Sequence, residues 1–384
     1  MLIKYSVENF YSFKGRVELD FLTKSDDNSL KSSFGNVAPV AAIFGKNASG
    51  KTNILKGINF LRGFCGGRNS TSSLEVISTF LDNHKPTKFE VTFIEGGEKY
   101  FYKLIIFEDR MINEEVHRDN DLLLERSGTS AKIFNQETDG RMITLDVPKE
   151  QSCVRYIERN FEDKYKFINC VSKFFYCIES NVYHNSFNID DSSVYNISRR
   201  LSKDKLSFAL TEHLLKGFDT SLTKIELKSK EVNNSTQYYP VFYHAHNGEN
   251  FAVSIDQESS AIKRLFGILP LFVFVSSVGG ILVIDELESH FHPSIVKRLI
   301  ELFTTQKYNS RKAQFVFSTH LGLLMDELDS EFIWLCEKDN SESSIHSLKQ
   351  RLNSFDSNGK RISDLYYMNK LELNEVIETK LRSE

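Results

Sequence analysis

The sequence predicts an α/β fold with an antiparallel sheet lobe and an inserted helical lobe. Three observations predict it. The apolar run Val40-Ala41-Ala42-Ile43-Phe44 reads as a buried strand, followed by a glycine loop and by Ile54 to Leu61 at helical spacing. A second continuous apolar run, Gly280-Ile281-Leu282-Val283-Ile284, lacks alternation and reads as a central parallel strand covered on both faces. Between Lys88 and Phe134, short strand-like segments follow one another, with Glu95-Gly96-Gly97-Glu98 as a hairpin turn.

The chain has 384 residues, enough for two or three domains or one large domain with insertions. The change of pattern along it predicts a lobe over 1–150, a helical insert over 151–235 and a second lobe over 236–384. A net charge of −4 does not announce a nucleic-acid binder, although a local basic face can hide within it. The five cysteines form no C-x-x-C pair, so reduced thiols and a cytoplasmic setting without a zinc site are expected. No run is expected to cross a membrane; the most apolar, Leu265 to Val278, suits a buried core segment better. Met1 to Val7 looks like a strand and not a leader.

The glycine loop is Gly45-Lys46-Asn47-Ala48-Ser49-Gly50-Lys51-Thr52, which fits G-x-x-x-x-G-K-[ST] at every fixed position. A strand before it and a helix after it are the context a phosphate loop needs. Glycines let backbone N–H groups close around phosphate oxygens, and the helix N-terminus adds partial positive charge. Gly45, Asn47, Ala48, Ser49, Gly50, Lys51, Thr52 and Asn53 are therefore the candidate nucleotide-binding residues. Lys51 would reach the β- and γ-phosphates, and Thr52 would place its hydroxyl on Mg²⁺. The strand at 281–284 ends in Asp285-Glu286, where carboxyl ends of parallel strands build sites. Asp285 suits Mg²⁺, and Glu286 suits a general base for an attacking water. Gln314 to Phe317 reads as the last core strand, and Ser318-Thr319-His320 follows it, with His320 placed as a γ-phosphate sensor.

The remaining chain is expected as follows. Met1 to Phe21 gives two strands around Asn9-Phe10-Tyr11-Ser12-Phe13-Lys14. Polar loops run from Thr23 to Asn36 and from Gly63 to Ser73. Helices cover Val154 to Lys164, Lys166 to Ser180 and Lys203 to Phe218. A turn at Asn233-Asn234-Ser235 precedes strands over Tyr238 to His246 and Asn250 to Ile255. Phe332 to Leu335 reads as a peripheral strand, and Leu371 to Glu384 as a charged helix.

Taken together, Asn9 to Lys14, Gly45 to Thr52, Asp285-Glu286, Glu288 to Pro293 and Ser318 to His320 resemble an ABC-type P-loop ATPase head. The group includes SMC heads, DNA-repair heads, overcoming-lysogenization-defect proteins and bacterial phage-defence ATPases. The resemblance covers the N-terminal quarter and about residues 250 to 340. It implies ATP and Mg²⁺, and a turn at Asn9 to Lys14 beside the nucleotide. Glu288-Ser289-His290-Phe291-His292-Pro293 is similar to the D-loop of that group, which places His290 and His292 at a dimer seam. Asp256 to Leu265 stands where the group carries its signature segment, so Ser259 and Ser260 would cap a helix and meet the ATP of a second subunit. The signature glycine is replaced here by Ser260-Ala261. ATP would thus be sandwiched between two copies, and its hydrolysis would loosen them.

Two functions follow from the resemblance. One is an ATP-driven sensor or switch of an anti-phage system, similar in layout to the ATPase components of PARIS and Septu, answering a phage protein and controlling a separate nuclease or toxin. The other is a DNA-bound ATPase of repair or chromosome maintenance; no heptad run for a coiled-coil arm accompanies it here. A transporter motor would need a membrane span from a partner.

Overall fold

In a computed structural model the chain is described over residues 1–24, 26, 29–67, 74, 77–134, 142–161, 164–182, 191–232, 235–289, 291–352 and 361–371. It opens with β1 (Leu2–Glu8) and β2 (Val17–Asp20). Three short strands follow, β3 (Leu22–Thr23), β4 (Leu30–Ser32) and β5 (Gly35–Val37). The expected loop from Thr23 to Asn36 is therefore a small sheet in the order β3-β5-β4. Leu30 pairs with Val37 and both are buried, which gives this polar stretch an apolar anchor.

Next come β6 (Val40–Phe44) and α1 (Lys51–Gly66). Gly63 lies inside α1, not in a loop, because Phe64 and Cys65 extend the buried face. The helix ends on Gly67, in the left-handed region at φ 67°, whose N–H returns to the Gly63 carbonyl. The rest of that expected loop, 68–73, lies outside the described residues.

A meander of six strands follows: β7 (Thr87–Glu95), β8 (Glu98–Ile106), β9 (Ile112–Arg118), β10 (Asp121–Ser127), β11 (Ser130–Phe134) and β12 (Met142–Asp146). With β1 and β2 they make an eight-stranded sheet in the order β12-β11-β10-β9-β8-β7-β1-β2. Strict alternation of buried and half-buried residues along β7 turns one face toward a core. On that face Phe89 stacks on Phe60 of α1, and Phe93 stacks on Phe174 at 3.9 Å between centroids.

Phe174 belongs to α3 (Lys166–Tyr176), which follows α2 (Cys153–Asn160). The helix expected to run to Ser180 stops at Tyr176, and Ile178–Ser180 becomes strand β13. Glycine explains the switch: a Cβ on Gly280 would sit 2.1 Å from the Cys177 carbonyl oxygen, so only glycine lets the two backbones approach and pair. Helices α4 (Asp191–Lys203) and α5 (Lys205–Phe218) come next. The helices of 151–235 divide between two cores. Those of α2 and α3 pack under the antiparallel sheet, while Val194, Leu201 and Leu215 of α4 and α5 join a second core.

Strand β14 (Leu222–Val232) is not among the expected elements; it buries only Leu222 and Ile225 and is rich in charged and polar residues. It pairs with β15 (Ser235–His246), which pairs with β16 (Glu249–Ser254). The turn at 233–234 lies outside the described residues. Then α6 (Ser260–Val278) leads to β17 (Ile281–Ile284), α7 (Pro293–Thr304) and β18 (Gln314–Thr319). By length and composition α6 could cross a bilayer, because the helix begins at Ser260, five residues before Leu265, and is long enough. Most of it is buried here against protein, as a core helix.

The chain closes with β19 (Ile333–Asp339), β20 (Glu342–Ser347), α8 (Leu348–Leu352) and α9 (Ile362–Tyr367). Residues 372–384 of the expected terminal helix lie outside the described residues. The second sheet has the order β13-β17-β18-β6-β19-β20 and is parallel except for the β19–β20 pair. So β18 is not the last core strand and β19 is not peripheral. The buried run Ile333 to Cys336 covers the open edge of β6, and the edge passes to β20. Two apolar cores lie on opposite faces of this sheet, which is why β6, β17 and β18 carry no polar alternation.

One buried ion pair braces the antiparallel lobe. Arg126 and Glu114 are fully buried and 2.7 Å apart. Arg126 also donates to the carbonyls of Gly128, Pro148, Lys149 and Gln151, and Glu114 accepts from Tyr102, Ser152 and the Cys153 amide. Every charge-bearing atom is thus partnered. Arg126→Leu should lower stability by about 3–5 kcal/mol, since it strands a buried carboxylate. Urea unfolding checks this, and adding Glu114→Leu should recover part of the loss.

Candidate functional site

The site lies at the carboxyl ends of β6, β17 and β18. The loop after β6 turns through Ala48 at φ 61° and Gly50 at φ 115°. Such left-handed residues aim successive N–H groups into one hollow. Gly50 has a second reason to lack a side chain: a Cβ there would lie 2.6 Å from Ser343 Oγ and 3.0 Å from Ser12 Oγ. Residues Asn47 to Asn53, Asp285, Glu286, His320 and Lys338 line a cavity of about 280 Å³. Gly45 lines a second, adjoining cavity of about 650 Å³ with Lys46 to Ser49 and His320.

Lys51 is 6% exposed, and its Nζ donates to the carbonyls of Gly45 at 2.9 Å and Lys46 at 3.0 Å. Burial pulls its pKa below the ordinary lysine value, against the pull of Cys336 and the site carboxylates. Thr52 Oγ1 donates to Asp285 Oδ2 at 2.8 Å, and Ser318 Oγ donates to Asp285 Oδ1. The loop, β17 and β18 therefore meet at one carboxylate. Asn181, just past β13, fixes the backbone there: its Oδ1 accepts from the Asp285 amide at 2.8 Å and its Nδ2 donates to the Asp285 carbonyl at 3.3 Å.

Glu286 follows in the left-handed region, at φ 49°. Its amide donates to Ser318 Oγ at 2.8 Å, and its carbonyl accepts from Arg264 Nη2 at 2.9 Å. The carboxylate is exposed and accepts from Ser289 Oγ at 3.1 Å. The His320 amide donates to Glu288 Oε1 at 2.6 Å. Burial, then Lys51, lowers the His320 pKa below the usual imidazole value, so the ring is neutral at pH 7.

The Asn9 to Lys14 turn serves both core and site. Phe10 and Phe13 are buried, and Asn9 braces the turn by donating to the Lys85 carbonyl at 2.7 Å. Ser12 Oγ reaches the site, accepting from Asn53 Nδ2 at 2.8 Å.

Ser259 caps α6, accepting from the Ile262 amide at 3.2 Å, and Ser260 begins the helix. Neither lines the phosphate-loop cavity of its own chain. His292 caps α7 through the Ser294 amide, and His290 lies outside the described residues. Among the described residues no His, Cys, Asp or Glu cluster could hold a metal by protein ligands alone.

Asn181 and Ser343 are site residues that sequence reasoning misses, and the contacts of Arg264 with the Glu286 carbonyl and of Glu288 with the His320 amide are not foreseen by the segments in which both were placed. Their partners stand far away in the chain, and single polar residues carry no local signal of that kind.

Residues 40–326 match the family described as "AAA domain, putative AbiEii toxin, Type IV TA system". The chain belongs to this AAA family. This AAA chain has an α/β fold, with its glycine loop joining a strand of the parallel sheet to α1 and an antiparallel lobe beside it. Solved structures similar to it include two SMC head domains. The SMC head domain from Thermotoga maritima is 16% identical over 90% of this chain and 98% of that chain, with a TM-score of 0.46. The Smc head domain with an extended coiled coil bound to the C-terminal domain of ScpA, from Pyrococcus furiosus, is 14% identical over 92% of this chain and 98% of that chain, with a TM-score of 0.48. No curated protein matches the chain.

Proposed function

We propose that this AAA chain binds and hydrolyses ATP, pairs with a second copy around it, and controls a separate effector. The convergence of Thr52, Ser318 and Asp285 beside the phosphate loop carries the ATPase reading. The site fits the group it would hold. Ser49 Oγ is buried without a hydrogen-bond partner among the described residues, and a hydroxyl and a carboxylate stand together as hard oxygen donors for Mg²⁺.

Thr52 and Asp285 would hold Mg²⁺, which when bound neutralises charge on the β- and γ-phosphates. Lys51 would exchange its two carbonyl partners for phosphate oxygens. Glu286 would take the proton of a water as its oxygen attacks the γ-phosphorus and the bond to the β–γ bridging oxygen breaks, leaving ADP and phosphate. His320, neutral and beside Lys51, would contact the γ-phosphate. Glu288 would set the position of His320 through its amide.

Pairing is supported by Ser259 and Ser260, which stand at the start of α6 and do not line their own chain's phosphate-loop cavity, and by the exposed carboxylate of Glu286. A second chain would complete each site, and hydrolysis would remove the γ-phosphate that holds the two together. The effector reading draws on the toxin–antitoxin description of the family and on the resemblance to phage-defence ATPases. The cytoplasm is the setting we assign.

A DNA-bound ATPase is the second reading, and the outer face of β14 and β15 favours it. Lys224 stands opposite Tyr243 and Lys228 opposite Tyr239, with Lys230 also over the Tyr239 ring. Lysines among aromatics suit a nucleic-acid backbone and its bases.

Affinity capture on tagged Glu286→Gln, expressed with its native gene neighbours, tests both readings with and without Mg-ATP. Recovery of a nuclease or toxin only with Mg-ATP is expected. Recovery of the chain with DNA alone, weakening steeply with salt, would transfer the assignment to the second reading.

A further inference from the structure

The β19–β20 hairpin is fastened to the phosphate loop through one carbonyl. The Ser49 oxygen accepts from Cys336 Sγ at 3.3 Å and from Ser343 Oγ at 2.6 Å. The Ser343 amide also donates to the Ser12 carbonyl at 2.7 Å. All of these donors are buried, so the hairpin has a fixed seat against the loop.

Side chains alternate along a strand, so Lys338, two residues after Cys336, projects from the same face as Cys336. The register agrees: Lys338 stands directly opposite Ser343, whose hydroxyl reaches the loop. Lys338 is among the residues that line the phosphate-loop cavity, as are Glu286 and His320. Its neighbour Glu337 is engaged by Arg351 Nη2 at 2.8 Å, and Lys338 makes no ion pair among the described residues.

We propose that Lys338 is a second phosphate-binding lysine, delivered to the terminal phosphate of the nucleotide by the β19–β20 hairpin. The proposal rests on the reading of this cavity as an ATP site. Lys51 would hold the phosphates from the buried wall, and Lys338 from the exposed one. An ammonium on each side matches the charge of a triphosphate better than that of a diphosphate. Lys338 therefore distinguishes ATP from ADP, which Lys51, reaching the β-phosphate as well, does less sharply.

Calorimetric titration of the full chain with Mg-AMPPNP and with Mg-ADP tests this, for wild type, Lys338→Ala, Lys338→Arg and Lys51→Ala. Removing one charge-assisted hydrogen bond should weaken triphosphate binding by Lys338→Ala about tenfold, with ADP affinity changed by less than about twofold. Lys338→Arg should recover most of the loss, and urea midpoints should not move, since the side chain is exposed. Unchanged triphosphate affinity in Lys338→Ala, or equal losses for both nucleotides, would overturn the proposal. Failure of the wild type to bind either nucleotide, or equal binding by Lys51→Ala, would instead remove the ATP-site reading beneath it.

Discussion

Lys51→Ala is expected to lose nucleotide binding and turnover together. The side chain is nearly buried beneath the loop, and its ammonium is held between the carbonyls of Gly45 and Lys46. Those carbonyls aim it at the hollow where phosphates would sit. A hydrogen bond to a charged group contributes about 1.5–3 kcal/mol, so without the ammonium each phosphate it would have held should weaken binding roughly tenfold to a hundredfold. With two phosphates in reach, binding should fall below detection in a titration at micromolar protein. A structural loss is separable: the fold should survive, because Lys51 bonds only carbonyls of its own loop, and an unchanged urea midpoint would show it. Normal ATPase activity in this variant would sink the phosphate-loop assignment.

Glu286→Gln should keep ATP and lose its hydrolysis. The backbone of Glu286 is pinned on both sides, by Ser318 Oγ at its amide and by Arg264 at its carbonyl. An isosteric amide can therefore occupy the same place, and Ser289 Oγ can still donate to its oxygen. What disappears is the proton acceptor. Turnover should fall at least about a hundredfold, the scale of general-base help, while nucleotide affinity stays near that of wild type. Single-turnover assays with labelled ATP measure the first quantity and titration the second. Unchanged turnover would assign the base to another group, and Glu288, whose Oε2 has no hydrogen-bond partner among the described residues, would be the next to test.

The parts of this site that are legible in the sequence are those built within one short stretch. The phosphate loop, Asp285-Glu286 and Ser318 to His320 each follow an apolar strand directly, so their position at the strand ends could be read before any fold was known. The antiparallel meander is legible for the same reason, since its strands pair with their neighbours in the chain. Contacts that join distant stretches are not. Asn181 stands 104 positions from Asp285, and Ser343 stands 294 positions from Ser49, with nothing local to mark either pair. Strand β13 is hidden because Ile178 continues the helical spacing of Phe174 and Phe175, and only the glycine opposite Cys177 decides the matter. Strand β19 is misplaced for a related reason: its apolar run is plain, but its neighbour β6 belongs to the first eighth of the chain.

The strand order of the parallel sheet also bears on how the molecule is made. Val40 pairs with Phe315, and Ala42 pairs with Ile333, so both flanks of β6 are supplied by the last quarter of the chain. During synthesis from the N-terminus, β7 to β12 can pair as they emerge, because their contacts are local. Strand β6, all of it apolar, must wait without neighbours until more than 300 residues have left the ribosome. An unpaired apolar strand is a site for aggregation, so this wait is when a nascent chain most needs a chaperone. Any truncation before β18 would leave the nucleotide loop attached to a strand with no sheet to join, although the antiparallel strands upstream could still find one another.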